Sequence, residues 1–201
     1  MILRSSPPSP FGRKVKIAAA VLGLIDRIDI VPADTNDAAD ELRTQNPLGK
    51  IPTLILDDGR TLFDSRVILE YFDHLAGGGR IIPANPDARF AALRMQALCD
   101  GIMDASILQV YEARFRPEAM RHQPWLDYQA EKVTRALAAL EAEPQALNPI
   151  PHVGQIALAC ALGYQDLRFS GTWRGSHPNL VAWLGRFAAQ VPAFEKTRVA
   201  A

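Results

Sequence analysis

The stretch Asn46-Pro47-Leu48-Gly49-Lys50-Ile51-Pro52-Thr53-Leu54, followed ten positions later by the pair Asp64-Ser65, decides how this chain is read. Pro52 stands where a strand would begin, and the first residue of a strand is a position at which a sheet tolerates the missing N–H. Packing alone accounts for a proline there. If the Ile51–Pro52 bond is cis, as about one X–Pro bond in twenty is, the N–H and C=O of Ile51 turn out of the sheet and can pair with an extended ligand backbone, as in strand addition. Lys50 then either meets a ligand carboxylate or stands as a solvated surface charge, the second being the simpler account.

Downstream, Phe63-Asp64-Ser65-Arg66 opens a helix whose apolar residues are Val67, Ile68, Tyr71 and Phe72. Asp64 or Ser65 is a good N-cap in any case. The same helix start offers free N–H groups to a ligand carboxylate, while the Asp64 side chain suits a ligand ammonium. An α-amino acid head group carries both charges on one carbon.

Working outward, residues 1–76 alternate β-rich and helical runs: Ile2 to Arg4, a helix from Phe11 to Leu24, a strand near Ile28 to Pro32, and a polar helix around Ala38 to Arg43. Thr53 to Leu56, the turn Asp57-Asp58-Gly59-Arg60, Thr61 to Phe63 and a helix from Ser65 to Leu75 complete the order βαβαββα. Residues 77–87, with three glycines and two prolines, break every periodicity and read as an inter-domain linker. From Ala88 to the end, residues 88–201, only helical patterns occur: about 88–115, 124–142, 153–168 and 178–190, punctuated by Pro117, Pro144, Pro149, Pro178 and Pro192. The fold class expected is α/β followed by an all-α bundle.

The charge balance excludes some functions. Lys plus Arg and Asp plus Glu are 22 each, which leaves no footprint for nucleic acid or an anionic membrane. Apolar runs are too short to span a bilayer and no signal core follows Met1, so a cytoplasmic protein is expected. Cys99 and Cys160 form no CxxC, and the second sits in the run IALACAL; both are expected to be buried and reduced. His74, His122, His152 and His177 fall in no metal-ligand spacing, so no metal is expected.

In Ser5-Ser6-Pro7-Pro8-Ser9-Pro10-Phe11-Gly12-Arg13-Lys14, the dipeptide Ser9-Pro10 is a helix start, with Ser as N-cap and Pro at the first helical position. Such a cap accepts from the backbone, here the Gly12 N–H, and keeps its hydroxyl proton to donate. A donor at the positive end of a helix favours a thiolate, and lowering a thiol pKa by about two units needs only roughly 2.7 kcal/mol. Ser5 and Ser6 compete with Ser9 for this role.

With these segments in view, the chain resembles the glutathione transferase superfamily over essentially its whole length. The markers are SPFGRKVK, NPLGKIPTL, FDSRVILEYF, the IIP of the linker, DGIMDASILQVYEARF, ALACALGYQDLRF and HPNLVAWLGRF, in that order. It is most similar to bacterial serine-type members allied to the zeta, theta and omega classes. The resemblance implies a thioredoxin-like first domain, a helical second domain and a homodimer. It also implies glutathione as co-substrate, with Ser9 activating its thiol, Ile51 pairing by backbone with the cysteinyl part beside cis-Pro52, and Asp64 and Ser65 holding the γ-glutamyl end. Lys50 would meet the glycine carboxylate.

The implied activity is attack of glutathione sulfur on a small hydrophobic electrophile. The alternatives are a non-catalytic ligand-binding or scaffold protein of the same fold, or a glutathione-dependent disulfide or peroxide reductase. The electrophile is expected between the domains, against Phe11, Met103, Ile107, Tyr111, Arg114 and Phe115, although their helical spacing suits a core stripe equally well. Two departures stand out. Where the family carries a Ser or Thr and, three residues on, an Asp to cap the buried helix of the second domain, this chain has His152 and Gln155; and the Gly77-Gly78-Gly79 linker is longer and looser than expected.

Overall fold

The structure, a computed structural model, describes residues 1–143 and 146–199. Pro144, and the last two positions of the expected helical domain, lie outside the described residues. Four strands, β1 (Ile2–Ser5), β2 (Asp29–Pro32), β3 (Thr53–Ile55) and β4 (Thr61–Leu62), form one sheet in the order β2-β1-β3-β4. β1 is parallel to β2 and antiparallel to β3, and β4 closes the edge as a hairpin partner of β3. Three helices belong to this half: α1 (Pro10–Val21), α2 (Leu42–Gln45) and α3 (Ser65–Leu75). The expected βαβαββα order is present, in a mixed sheet followed by a helical region.

The polar helix expected at Ala38 to Arg43 starts instead at Leu42. Short acidic side chains take over the preceding backbone: Asp40 accepts from the N–H groups of Asp34 and Leu42, and Asp37 from that of Ala39. Such local bonds offer the backbone an alternative to helix. The buried Arg4 guanidinium locks this loop through Asp40 (2.7 Å) and the Pro32 carbonyl (3.1 Å).

The rest is helical: α4 (Pro86–Phe115), α5 (Gln123–Ala142), α6 (Val153–Phe169), α7 (Pro178–Gln190) and a short α8 (Ala193–Lys196) that the periodicity did not announce. α6 is apolar on every face and its residues Val153 to Gln165 are all buried, as an all-round hydrophobic helix must be. It is the centre of the core, packed on α1 and α4. Cys99 and Cys160 are free and buried; burial pushes the Cys160 thiol up to about 11 and the Cys99 thiol further still.

Both departures resolve into working substitutes. At α6 the His152 ring accepts from the N–H groups of Gly154 and Gln155, while the Gln155 side chain accepts from the His152 N–H at 3.1 Å. A reciprocal capping box is therefore present with different residue types. The linker is not loose. Gly77, Gly78 and Gly79 all adopt positive φ, and the buried Asp73 carboxylate accepts from the N–H groups of Gly79, Arg80, Ile81 and Ile82. Ile81 and Ile82 then enter the core.

Candidate functional site

Ser9 is half-buried, with extended backbone (φ −70°, ψ 117°), and its Oγ accepts from the Gly12 N–H at 3.1 Å. Its carbonyl accepts the first helical bond, from the Arg13 N–H at 2.9 Å. Among the described residues no other bond engages the hydroxyl, so its proton remains to be donated at the positive end of α1. The competing serines are placed differently. Ser5 ends β1 buried, its Oγ without a partner among the described residues and lying where a Cβ at position 12 would be, so a larger residue at 12 would displace that hydroxyl. Ser6 lends its carbonyl to the Ser9 N–H.

The Ile51–Pro52 peptide is cis. The ladder of β3 begins beyond it at Thr53, and neither the N–H nor the C=O of Ile51 takes part in a backbone hydrogen bond among the described residues. The loop before it is rigid, because the buried Asn46 side chain donates to the Lys50 carbonyl (2.9 Å) and to Thr53 Oγ1 (3.2 Å). Lys50 itself is exposed. At α3, Asp64 is the N-cap and accepts from the Arg66 N–H at 2.9 Å; its carboxylate is exposed and Ser65 is buried.

Between these two helix starts lies an ion pair that sequence patterning did not single out. Lys14 Nζ, with no exposed surface, donates to Asp100 Oδ1 at 2.6 Å, joining α1 to α4. Burial raises the Asp100 carboxyl pKa, and Lys14 opposes that shift. Asp100 Oδ2 is buried without a hydrogen bond, 3.6 Å from Arg66 Nε. The available signal was three cations, Arg13, Lys14 and Lys16, within one turn of a helix whose other residues are apolar or glycine, so that burying its apolar face brings a cation with it.

The expected electrophile residues separate. Met103 has no exposed surface and is part of the core; Phe11 is half-buried beneath Lys14, whose Nζ lies 5.4 Å from the ring centroid. Ile107 is half-buried, and Tyr111, Arg114 and Phe115 are exposed on the last turns of α4, with Tyr111 edge-on to Phe115. None of them lines the cavity that Ser9 does line. That cavity, about 710 Å³, is walled by Pro7, Pro8 and Arg13 on one side and by α6, α7 and the C-terminal segment on the other. Tyr164 of α6 lines it too, and burial raises its phenol pKa.

A mixed four-stranded sheet with α1 and α3 starting at one edge, backed by a helical bundle around a buried capped helix, defines a two-part glutathione-transferase architecture. Residues 8–75 match the family model for the glutathione S-transferase N-terminal domain, and residues 109–186 that for the C-terminal domain. The chain is 33% identical over 186 residues to the uncharacterized GST-like protein YibF of Escherichia coli K12, covering 90% of each. It superposes on a glutathione transferase family member of Pseudomonas fluorescens Pf-5 solved with bound glutathione, with a TM-score of 0.90 and 40% identity over 100% of this chain and 99% of that one. A second structure of that family member, holding S-(propanoic acid)-glutathione, gives 0.87 and 39% over 100% of both chains. The chain belongs to the glutathione transferase superfamily.

Proposed function

We propose that this protein is a glutathione S-transferase in which Ser9 donates a hydrogen bond to the thiolate of bound glutathione. The observation that carries this is the Ser9 hydroxyl: its oxygen is committed to the Gly12 N–H, its proton is not committed, and it faces a cavity large enough for a small molecule. The unpaired N–H and C=O of Ile51 suit the cysteinyl backbone, and the exposed Asp64 carboxylate with the start of α3 suits the γ-glutamyl ammonium and carboxylate. Lys50 is left for the glycine carboxylate. The relatives with bound glutathione, at 35–40% identity, support the same ligand here.

In the reaction the thiol gives its proton to solvent, the sulfur forms a bond to an electrophilic carbon, and the leaving group departs with its electron pair. Ser9 and the α1 dipole increase the thiolate fraction; positioning supplies the rest. The S-(propanoic acid)-glutathione complex of the P. fluorescens relative supports room for a substituent on the sulfur. We further infer a cytoplasmic homodimer, favoured by the exposed Leu48, Val67, Phe90 and Leu98.

The test is calorimetry with millimolar glutathione together with conjugation of 1-chloro-2,4-dinitrobenzene by wild type and Ser9→Ala. Binding with turnover that falls about 100-fold in the variant is expected, matching about 2.7 kcal/mol. Binding without turnover in wild type would make the protein a glutathione carrier, and no binding would leave only the fold.

A further inference from the structure

We propose that the cavity beside Ser9 selects electrophiles bearing one negative charge, and that Arg13 is the residue that pairs with it. This rests on the transferase reading above and specifies its second substrate.

Five charged side chains line the cavity: Arg13, Arg174 and Arg198 against Asp166 and Glu195. Two of the arginines are matched, Arg174 to Asp166 at 2.7 Å and Arg198 to Glu195 at 3.3 Å. Arg13 is left over. It is only 8% exposed, and among the described residues it has no carboxylate within ion-pair distance. Its Nη2 donates to the Phe194 carbonyl at 2.6 Å, its Nε to Thr197 Oγ1 at 3.2 Å, and the guanidinium lies 4.1 Å from the centroid of the Phe194 ring. Those neutral partners hold the group in place without cancelling its charge, and burial lowers its pKa, so an anion would be favoured beside it.

The guanidinium has five N–H donors in a fixed fork, of which these bonds use two. Nη1 occupies the space in which residue 163 would carry a Cβ, at 2.5 Å, so glycine at 163 is what admits it. The remaining lining is apolar, with Leu167, Val181, Leu184 and Ala188. Arg13 also follows Ser9 by four residues, which sets its Cα one turn, roughly 6 Å, further along the helix axis, and both side chains line the same cavity. A small apolar or aromatic electrophile carrying a carboxylate satisfies all of these features.

The test compares 4-chloro-3,5-dinitrobenzoate with 1-chloro-2,4-dinitrobenzene, each kcat/KM divided by its uncatalysed rate with glutathione. In both, a C–S bond replaces the C–Cl bond and chloride leaves. Wild type is expected to favour the benzoate by at least about tenfold, Arg13→Lys to keep most of that ratio and Arg13→Gln to bring it to within about twofold. Because Arg13→Gln also removes the contacts to Phe194 and Thr197, a second measurement uses wild type alone: 4-nitrobenzoate should inhibit at least about tenfold more tightly than 4-nitrobenzyl alcohol at saturating glutathione. A ratio unchanged in Arg13→Gln, or equal inhibition by the two nitro compounds, overturns the assignment. Glutathione calorimetry on the same samples separates the two failures: absence of binding sinks the transferase reading, whereas binding without charge preference sinks only this one.

Discussion

Helices α1 and α6 pack against each other, and each begins on a capping side chain, but the two caps are used up to different degrees. At α6 the His152 ring accepts from two N–H groups, and Gln155 both accepts from the His152 N–H and donates to the Ala146 carbonyl at 2.8 Å. Those bonds tie the start of α6 to the loop before it, and the helix behind it is buried. At α1 the Ser9 oxygen accepts once and its proton is uncommitted, in a half-exposed residue on a cavity wall. A cap at the start of a buried helix serves the structure, whereas one on a cavity wall whose proton is uncommitted can also serve a ligand. The first turn of α1 is thus open for chemistry because the rest of α1 is fastened elsewhere, by Lys14 to Asp100 and by Arg13 to the C-terminal segment.

That division of labour can be broken at its anchor first. Lys14→Met leaves the buried Asp100 carboxylate with only the longer pair to the exposed Arg66, at 3.6 Å, and should cost about 3 kcal/mol in urea unfolding, with part recovered when Asp100→Asn is added. A loss under about 1 kcal/mol would mean that α1 is held by packing alone. Next in size is Gln155→Ala, which leaves the half-buried His152 N–H unpaired and removes one of the two donors to the Ala146 carbonyl, the Trp183 Nε1–H at 3.1 Å remaining; about 1–2 kcal/mol of stability should go. Ser9→Ala sharpens the contrast from the other side: about 1 kcal/mol or less in stability, with its main effect on turnover. If Ser9→Ala unfolded the protein as readily as Gln155→Ala, the two caps would be alike.

The smallest expected effect is a pH dependence carried by His152. Burial lowers its pKa below the ordinary histidine value of 6.5, so the unfolded chain takes up a proton that the folded one resists. The cap's contribution is complete above 6.5 and is lost as pH falls from there toward the folded value. Urea midpoints should drop between pH 7.5 and 5.5, by about 1 kcal/mol or less, and His152→Ser should flatten that part of the profile while keeping a cap. A midpoint that rises on acidification would show that the ring caps as an imidazolium, which its acceptor role forbids.

Much of the architecture was legible because punctuation residues did what their chemistry requires. Asp64 and Pro178 fixed the starts of α3 and α7, and Ser9 caps α1 by accepting from Gly12, as its position before Pro10 dictates. α2 was misplaced because Asp34, Asp37 and Asp40 bind their own backbone, a competition that charge counting does not reveal. The α6 cap was missed because His and Gln are not the residue types by which such boxes are recognised, although their hydrogen-bonding inventory suffices. The linker was misjudged because its order comes from Asp73, which stands outside it in α3. Arg13, Lys14 and the burial of Met103 were out of reach for a further reason: helical periodicity says which residues share a face, but not which helix that face will meet.

The most direct test of the central claim is an ultraviolet titration of the thiolate of glutathione bound to wild type and to Ser9→Ala. The account predicts a bound thiol that ionises about two units below free glutathione in wild type, and a return most of the way toward the free value in the variant. The same apparent pKa in both proteins would contradict it, since the hydroxyl at the start of α1 would then contribute nothing to the ionised sulfur.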